Sequence, residues 1–152
     1  MKKLVSVVLA LCLCALSVAC LAESTELVMT KLCPDCPFSA MIPANWTTGT
    51  DDTGNTTYTN ADSTMQMAAT MMNTTIDEVK TQLESNNAVY TTQTINGRDI
   101  LLGRTNDKVQ VVIAVPVTDD TTFGALFTIP GGFTEDHIAD IYTIVNTLTE
   151  EQ

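Results

Sequence analysis

Apolar and polar residues alternate along much of this chain, and in two places the alternation gives way to helical spacing. Segment 26–32 and Phe38–Pro43 read as two short strands, the second closed by Pro43-Ala44-Asn45-Trp46. Segment 47–55 mixes two glycines and two aspartates with threonines and reads as a polar loop. Segments 55–60 and 64–72 have period-two spacing around Ala61-Asp62-Ser63, the pattern of a hairpin.

The first helix announces its own start. Thr75 is followed three residues later by Glu78, a capping box that satisfies two otherwise orphaned amides. Ile76, Val79 and Leu83 recur on one helical face, and Asn86-Asn87 ends the pattern, predicting a helix over 75–87. Two strands, 88–95 and 99–105, flank Asn96-Gly97, the dipeptide best suited to a type I′ turn because both central residues need positive φ. A second pair, 108–117 and 121–130, runs across Thr118-Asp119-Asp120. Within it Val109, Val111, Ile113 and Val115 face one way, with Gln110, Val112 and Ala114 opposite.

Pro130-Gly131-Gly132 stops the last strand. Thr134 then caps a helix over 134–149 whose first turn carries Glu135 and Asp136, favourable at the positive end of the helix dipole. Ile138, Ile141, Val145 and Leu148 form its expected buried face. Strands, helix, four strands, helix is the order of an α+β domain: an antiparallel β-sheet with two packed helices.

The N-terminus changes which residues count. Lys2 and Lys3 precede an apolar run, interrupted by Ser6, to about Leu16, and small residues lead to Ala22. This is the layout of a secretory signal peptide over 1–22, with a core too short for a bilayer about 30 Å thick. Ala19-Cys20 leaves lipid modification of Cys20 as the second reading. Cleavage near Ala22 leaves 23–152 as a single domain with no transmembrane span, secreted or extracytoplasmic. It holds five basic residues against eighteen acidic ones, so the net charge of −11 becomes −13. Such a chain repels nucleic acid phosphates and anionic lipid surfaces.

Cleavage also simplifies the thiols to Cys33-Pro34-Asp35-Cys36. Two cysteines three apart outside the reducing cytosol most simply form a local disulfide. A thioredoxin-like enzyme would open a helix with this motif, lowering the pKa of the attacking thiol. Here Pro37 and an extended run follow instead, so a disulfide pinning the first two strands is expected, with thiol–disulfide exchange through Cys33 and Cys36 as the alternative. Two cysteines and the distant His137 fall short of the four ligands of a structural zinc site. Met65, Met67 and Met71 on one strand face, beside Met72, keep soft-metal (copper) handling open, although period-two methionine is the signature of core filling. No metal or cofactor is expected. His137, in the first turn of the last helix, is expected to be solvated. Asp51-Asp52 lacks the spacing of a calcium loop. Trp46, with Tyr58 and Tyr90, forms the candidate binding surface, since such residues dominate interfaces; a lid on the core is the plainer role for Trp46.

The extended Phe38-Ser-Ala-Met-Ile-Pro-Ala-Asn-Trp46, the polar loop and hairpin after it, the capped helix, the Asn-Gly turn and the closing helix together resemble small secreted domains of the Mog1/PsbP-like type. The resemblance spans nearly all of the mature chain, with Cys-x-x-Cys outside its pattern. It implies a sandwich-like α+β fold and a binding or accessory role rather than one chemistry. The sequence therefore leads to a secreted or cell-surface, non-enzymatic domain whose partner is an unknown extracellular protein or small ligand.

Overall fold

The computed structural model describes residues 25–151 except Asn106 and Lys108. The expected leader, its expected cleavage site and Cys20 lie outside the described residues. The elements are β1 (Leu27–Lys31), β2 (Phe38–Pro43), β3 (Thr47–Thr50), β4 (Thr56–Thr59), β5 (Gln66–Met72), α1 (Ile76–Ser85), β6 (Val89–Ile95), β7 (Arg98–Arg104), β8 (Gln110–Pro116), β9 (Thr122–Thr128), α2 (Glu135–Thr147) and β10 (Thr149–Glu150). The α+β expectation holds, with both helices in place.

Strands β3-β4-β5-β9-β8-β7-β6 form one seven-stranded sheet, and β1-β2-β10 form a smaller one. Every pairing is antiparallel. Alternation then assigns the strand residues to two faces. Met67, Ile113, Phe123 and Phe127 point to the inner face, where the small sheet and α2 cover them. Phe38 of β2 meets Phe123 at 5.0 Å between ring centroids, and Thr147 of α2 accepts a hydrogen bond from the Met41 amide at 3.0 Å. Leu101 and Ala114 point to the outer face, where Val79 and Leu83 of α1 pack on them. The helices therefore lie on opposite faces of the large sheet.

Three local features match their sequence signals. Thr75 and Glu78 form the reciprocal capping box. Asn96 and Gly97 take φ of 53° and 76°, the left-handed conformations the tight turn demands. Thr134 caps α2. Two expectations are corrected. The polar loop of 47–55 begins as strand β3, because backbone pairing with β4 supplies what side-chain periodicity does not. Ile144 takes the buried place expected of Ile138, which is 43 % exposed. Ile141, Ile144, Val145 and Leu148 keep the three-and-four spacing of one stripe, and Ile138 falls at its flank.

Candidate functional site

Where the β4–β5 turn meets the start of α2, a cleft of about 410 Å³ opens beside Trp46. The turn is built by its own side chains. Asn60 Oδ1 accepts from the Met65 amide at 2.8 Å, Asp62 Oδ1 accepts from the Thr64 amide at 3.2 Å, and Ser63 takes the left-handed conformation between them. These bonds hold the Thr64 hydroxyl against α2. Opposite, the Thr134 side chain accepts from the His137 amide at 3.4 Å, and the Thr134 amide donates to His137 Nδ1 at 3.3 Å. His137 thus fills the capping-box position usually held by Glu or Gln.

That role buries His137, correcting the expectation of a solvated side chain. It also sets the direction of a chain of hydrogen bonds. Because Nδ1 accepts, Nε2 of the neutral ring carries the proton and donates to Thr64 Oγ1 at 2.7 Å. Asn60 Nδ2 donates to the same oxygen at 3.2 Å, and the Thr64 proton goes to Asp62 Oδ1 at 2.7 Å. Among the described residues, no buried polar side-chain atom is left without a partner.

Three carboxylates surround this chain: Asp62, Asp136 and Asp140. The Thr64 hydroxyl, and then its amide, hold Asp62 below the ordinary carboxylate range. Burial pushes Asp140 upward, with His137 opposing and Asp136 and Asp62 adding to the rise. A nucleophilic hydroxyl needs a base to take its proton. Here the imidazole presents an N–H, and the hydroxyl donates its hydrogen bond to the Asp62 carboxylate. The arrangement locks the turn to the helix and leaves an acidic, partly apolar recess. No group of three or more metal-ligating side chains gathers among the described residues.

The other residues singled out in the sequence scatter. Cys33 and Cys36 come together at disulfide-bonding distance, with Cα atoms 5.3 Å apart, and both are buried. Trp46 and Tyr58 are buried neighbours lining a crevice of about 210 Å³ beneath β1. The Tyr58 hydroxyl donates to the carbonyls of Lys31 and Leu32 at 2.8 and 3.2 Å, and burial raises its pKa. Tyr90 lies apart on the outer face against α1, its hydroxyl donating to Glu84 at 2.7 Å. It shares no surface with Trp46 and Tyr58, because its strand turns that side chain to the other side of the sheet. Met65 and Met67 are fully buried in the inner core and Met71 packs against it, while Met72 faces α1. The Asp51–Asn55 segment is a tied turn in which Asp51 accepts from both Thr53 and Asn55.

No protein-family model matches the chain, and no curated protein matches it in sequence. Solved structures do match in shape. The solution structure of cyanobacterial PsbP (CyanoP) from Synechocystis sp. PCC 6803 superposes with a TM-score of 0.53 over 85 % of this chain and 95 % of that one, at 9 % identity. The fold is PsbP-like. A crystal structure from Bacteroides thetaiotaomicron gives a TM-score of 0.52 and 19 % identity over 82 % of this chain. This chain spans about half of that one, covering 48 % of its length. At such identities the likeness establishes the PsbP-like fold alone, so site residues rest on geometry. Sequence reasoning missed the Thr64–His137 contact. The cap of Thr134 with a residue three places on was visible, but nothing local says that His137 meets a turn 73 residues away.

Proposed function

We propose that this chain is a secreted or cell-surface, non-enzymatic binding or accessory domain. The observation that carries this reading is the direction of the Asp62–Thr64–His137 hydrogen bonds, which commits Asp62 and His137 to holding the turn against the helix. The recess beside them is open to a partner and lined by carboxylates. The PsbP-like fold supports the accessory role. The leader-like pattern of residues 1–22 and the cysteine pair support a location outside the cytosol.

In this reading Cys33–Cys36 is a clip between β1 and β2. Both cysteines are buried, and exchange requires an attacking thiolate to reach one of their sulfurs. Insulin reduction tests this directly: the wild-type chain is expected to show no turnover. Turnover abolished by Cys33→Ser would replace the binding reading with a thiol–disulfide one. Intact mass of the exported product tests the address; a product beginning at Glu23 is expected, and a diacylglyceryl adduct on Cys20 would make the protein a lipoprotein. Replacing Thr64 by Val is expected to lower stability while creating or removing no hydrolytic activity towards ester substrates. Loss of an ester hydrolysis present in the wild type would overturn the non-enzymatic reading.

A further inference from the structure

A second cleft, of about 390 Å³, lies on the outer face of the large sheet and shares no lining residue with the His137 recess. Its floor is made by outward-facing residues of three adjacent strands, chiefly Ala68, Gly124, Leu126 and Val112. Val79 and Leu83 of α1 form one wall, and the β3–β4 turn brings Asp51 and Asn55 to the other. Two causes give it depth. α1 packs over the β6–β8 side of the sheet and meets the β5–β9 side chiefly through Met72. Ala68 and Gly124 of the floor are small, so the Met72 side chain can lie across Gly124, where an added Cβ would sit 2.7 Å from Met72 Cε. The volume falls at the lower end of the roughly 300–1,000 Å³ of small-molecule sites, and the lining is mainly apolar.

The charges on the two walls share one sign. Among the described residues lining the cleft, Asp51 is the only ionisable one. Its Oδ1 accepts from the Thr53 amide and hydroxyl and from the Asn55 amide, while Oδ2 accepts only from Asn55 Nδ2 and keeps capacity for a further donor. Opposite, Gln82 and Asn86 belong to the C-terminal turn of α1, the negative end of its dipole, and no basic residue lies in that turn. An acidic chain adds a field of the same sign.

We propose that this cleft binds an apolar organic cation, its ring or short hydrocarbon body over Ala68, Leu126 and Val112 and its ammonium at Asp51. The floor buries the body and the two negative walls select the charge. An anion of the same shape meets a carboxylate and a helix C-terminus, with no cation among the described residues that line the cleft.

The test uses two probes of one shape and opposite charge, phenylbutylamine and phenylbutyrate, titrated into the nitrogen-labelled chain while amide resonances are followed. Phenylbutylamine is expected to shift the amides of Gly124 and Leu126 and to saturate, with phenylbutyrate weaker by about tenfold or more. Ala68→Phe blocks the floor and is expected to abolish the amine's effect; should that variant perturb the fold, Thr70→Leu obstructs the same space. Gln82→Lys, on the exposed side of α1, is expected to narrow the gap between the probes to about threefold or less by placing a cation on one wall. Equal affinities, no saturable shift, shifts confined to the residues around His137, or amine binding that survives the blocked floor would each overturn the proposal.

Discussion

The two faces of the seven-stranded sheet are made by alternate residues of the same strands, yet they are differently filled. In β9, Phe123 and Phe127 project inward and are almost wholly buried, while Gly124 and Leu126 project outward beside an open cleft. The inner face carries the largest buried side chains and two covering layers, the small sheet and α2. The outer face carries a smaller buried cluster, around Leu101 and Ala114, covered by the ten-residue α1. A period-two strand can thus commit one set of positions to holding the fold and leave the other free for recognition, because packing on one face does not constrain side-chain size on the other.

Removing inner-face bulk should be the most damaging change. Phe127→Ala leaves a cavity in the centre of the core, and a loss of about 3–5 kcal/mol is expected, read as a lower urea midpoint at unchanged slope. Leu83→Ala removes the main outer-face contact of α1. It should cost roughly 2–3 kcal/mol, the low end for such a truncation, because the space opens towards an existing cleft. Equal losses for the two variants would show that the outer face is as much a core as the inner one, and the contrast would fail. Thr75→Ala removes half of the α1 capping box, and about 1 kcal/mol is expected, with α1 amides losing hydrogen-exchange protection ahead of those in α2.

The smallest effect concerns the turn that walls the outer cleft. Hydrogen bonds from the Thr53 and Asn55 side chains hold Asp51 at about 2, against an ordinary value of 3.8. A carboxylate with a lowered folded value adds stability above its unfolded pKa and loses it as pH falls through the folded one. The contribution should therefore fade between about pH 4 and pH 2. Asp51→Asn should flatten stability over that window and leave the inner face untouched; an unchanged pH profile would mean that the turn does not depend on the charge.

Much of this division was legible in the chain. The alternation of Val111, Ile113 and Val115 with Val112 and Ala114 gives the two faces of β8, and Thr75, Glu78, Asn96 and Gly97 are local instructions whose outcomes are local. What was not legible depends on partners distant in sequence. Nothing in Thr47–Thr50 distinguishes a polar strand from a loop until β4 lies beside it. Thr149–Glu150 is too short for any periodicity and is a strand only through β2. Tyr58 and Tyr90 look alike in sequence and end on opposite faces. The recess around His137 needs a turn and a helix that no short-range pattern connects, which is why the histidine's burial came only with the structure.

The pairing of β2 has a consequence for how the chain folds. β2 is buried between β1, its neighbour in sequence, and β10, the last strand. Ser39 pairs with Thr149 and donates to the Glu151 carboxylate, which lies 3.6 Å from Lys31. The early strand therefore reaches its final surroundings only when residues some 110 positions later arrive. Pairings this distant carry a large loop-closure cost and slow the search for the native state. A chain that emerges N-terminus first must hold Phe38–Pro43 unfinished until its final turn of helix and the strand after it are free to close the small sheet.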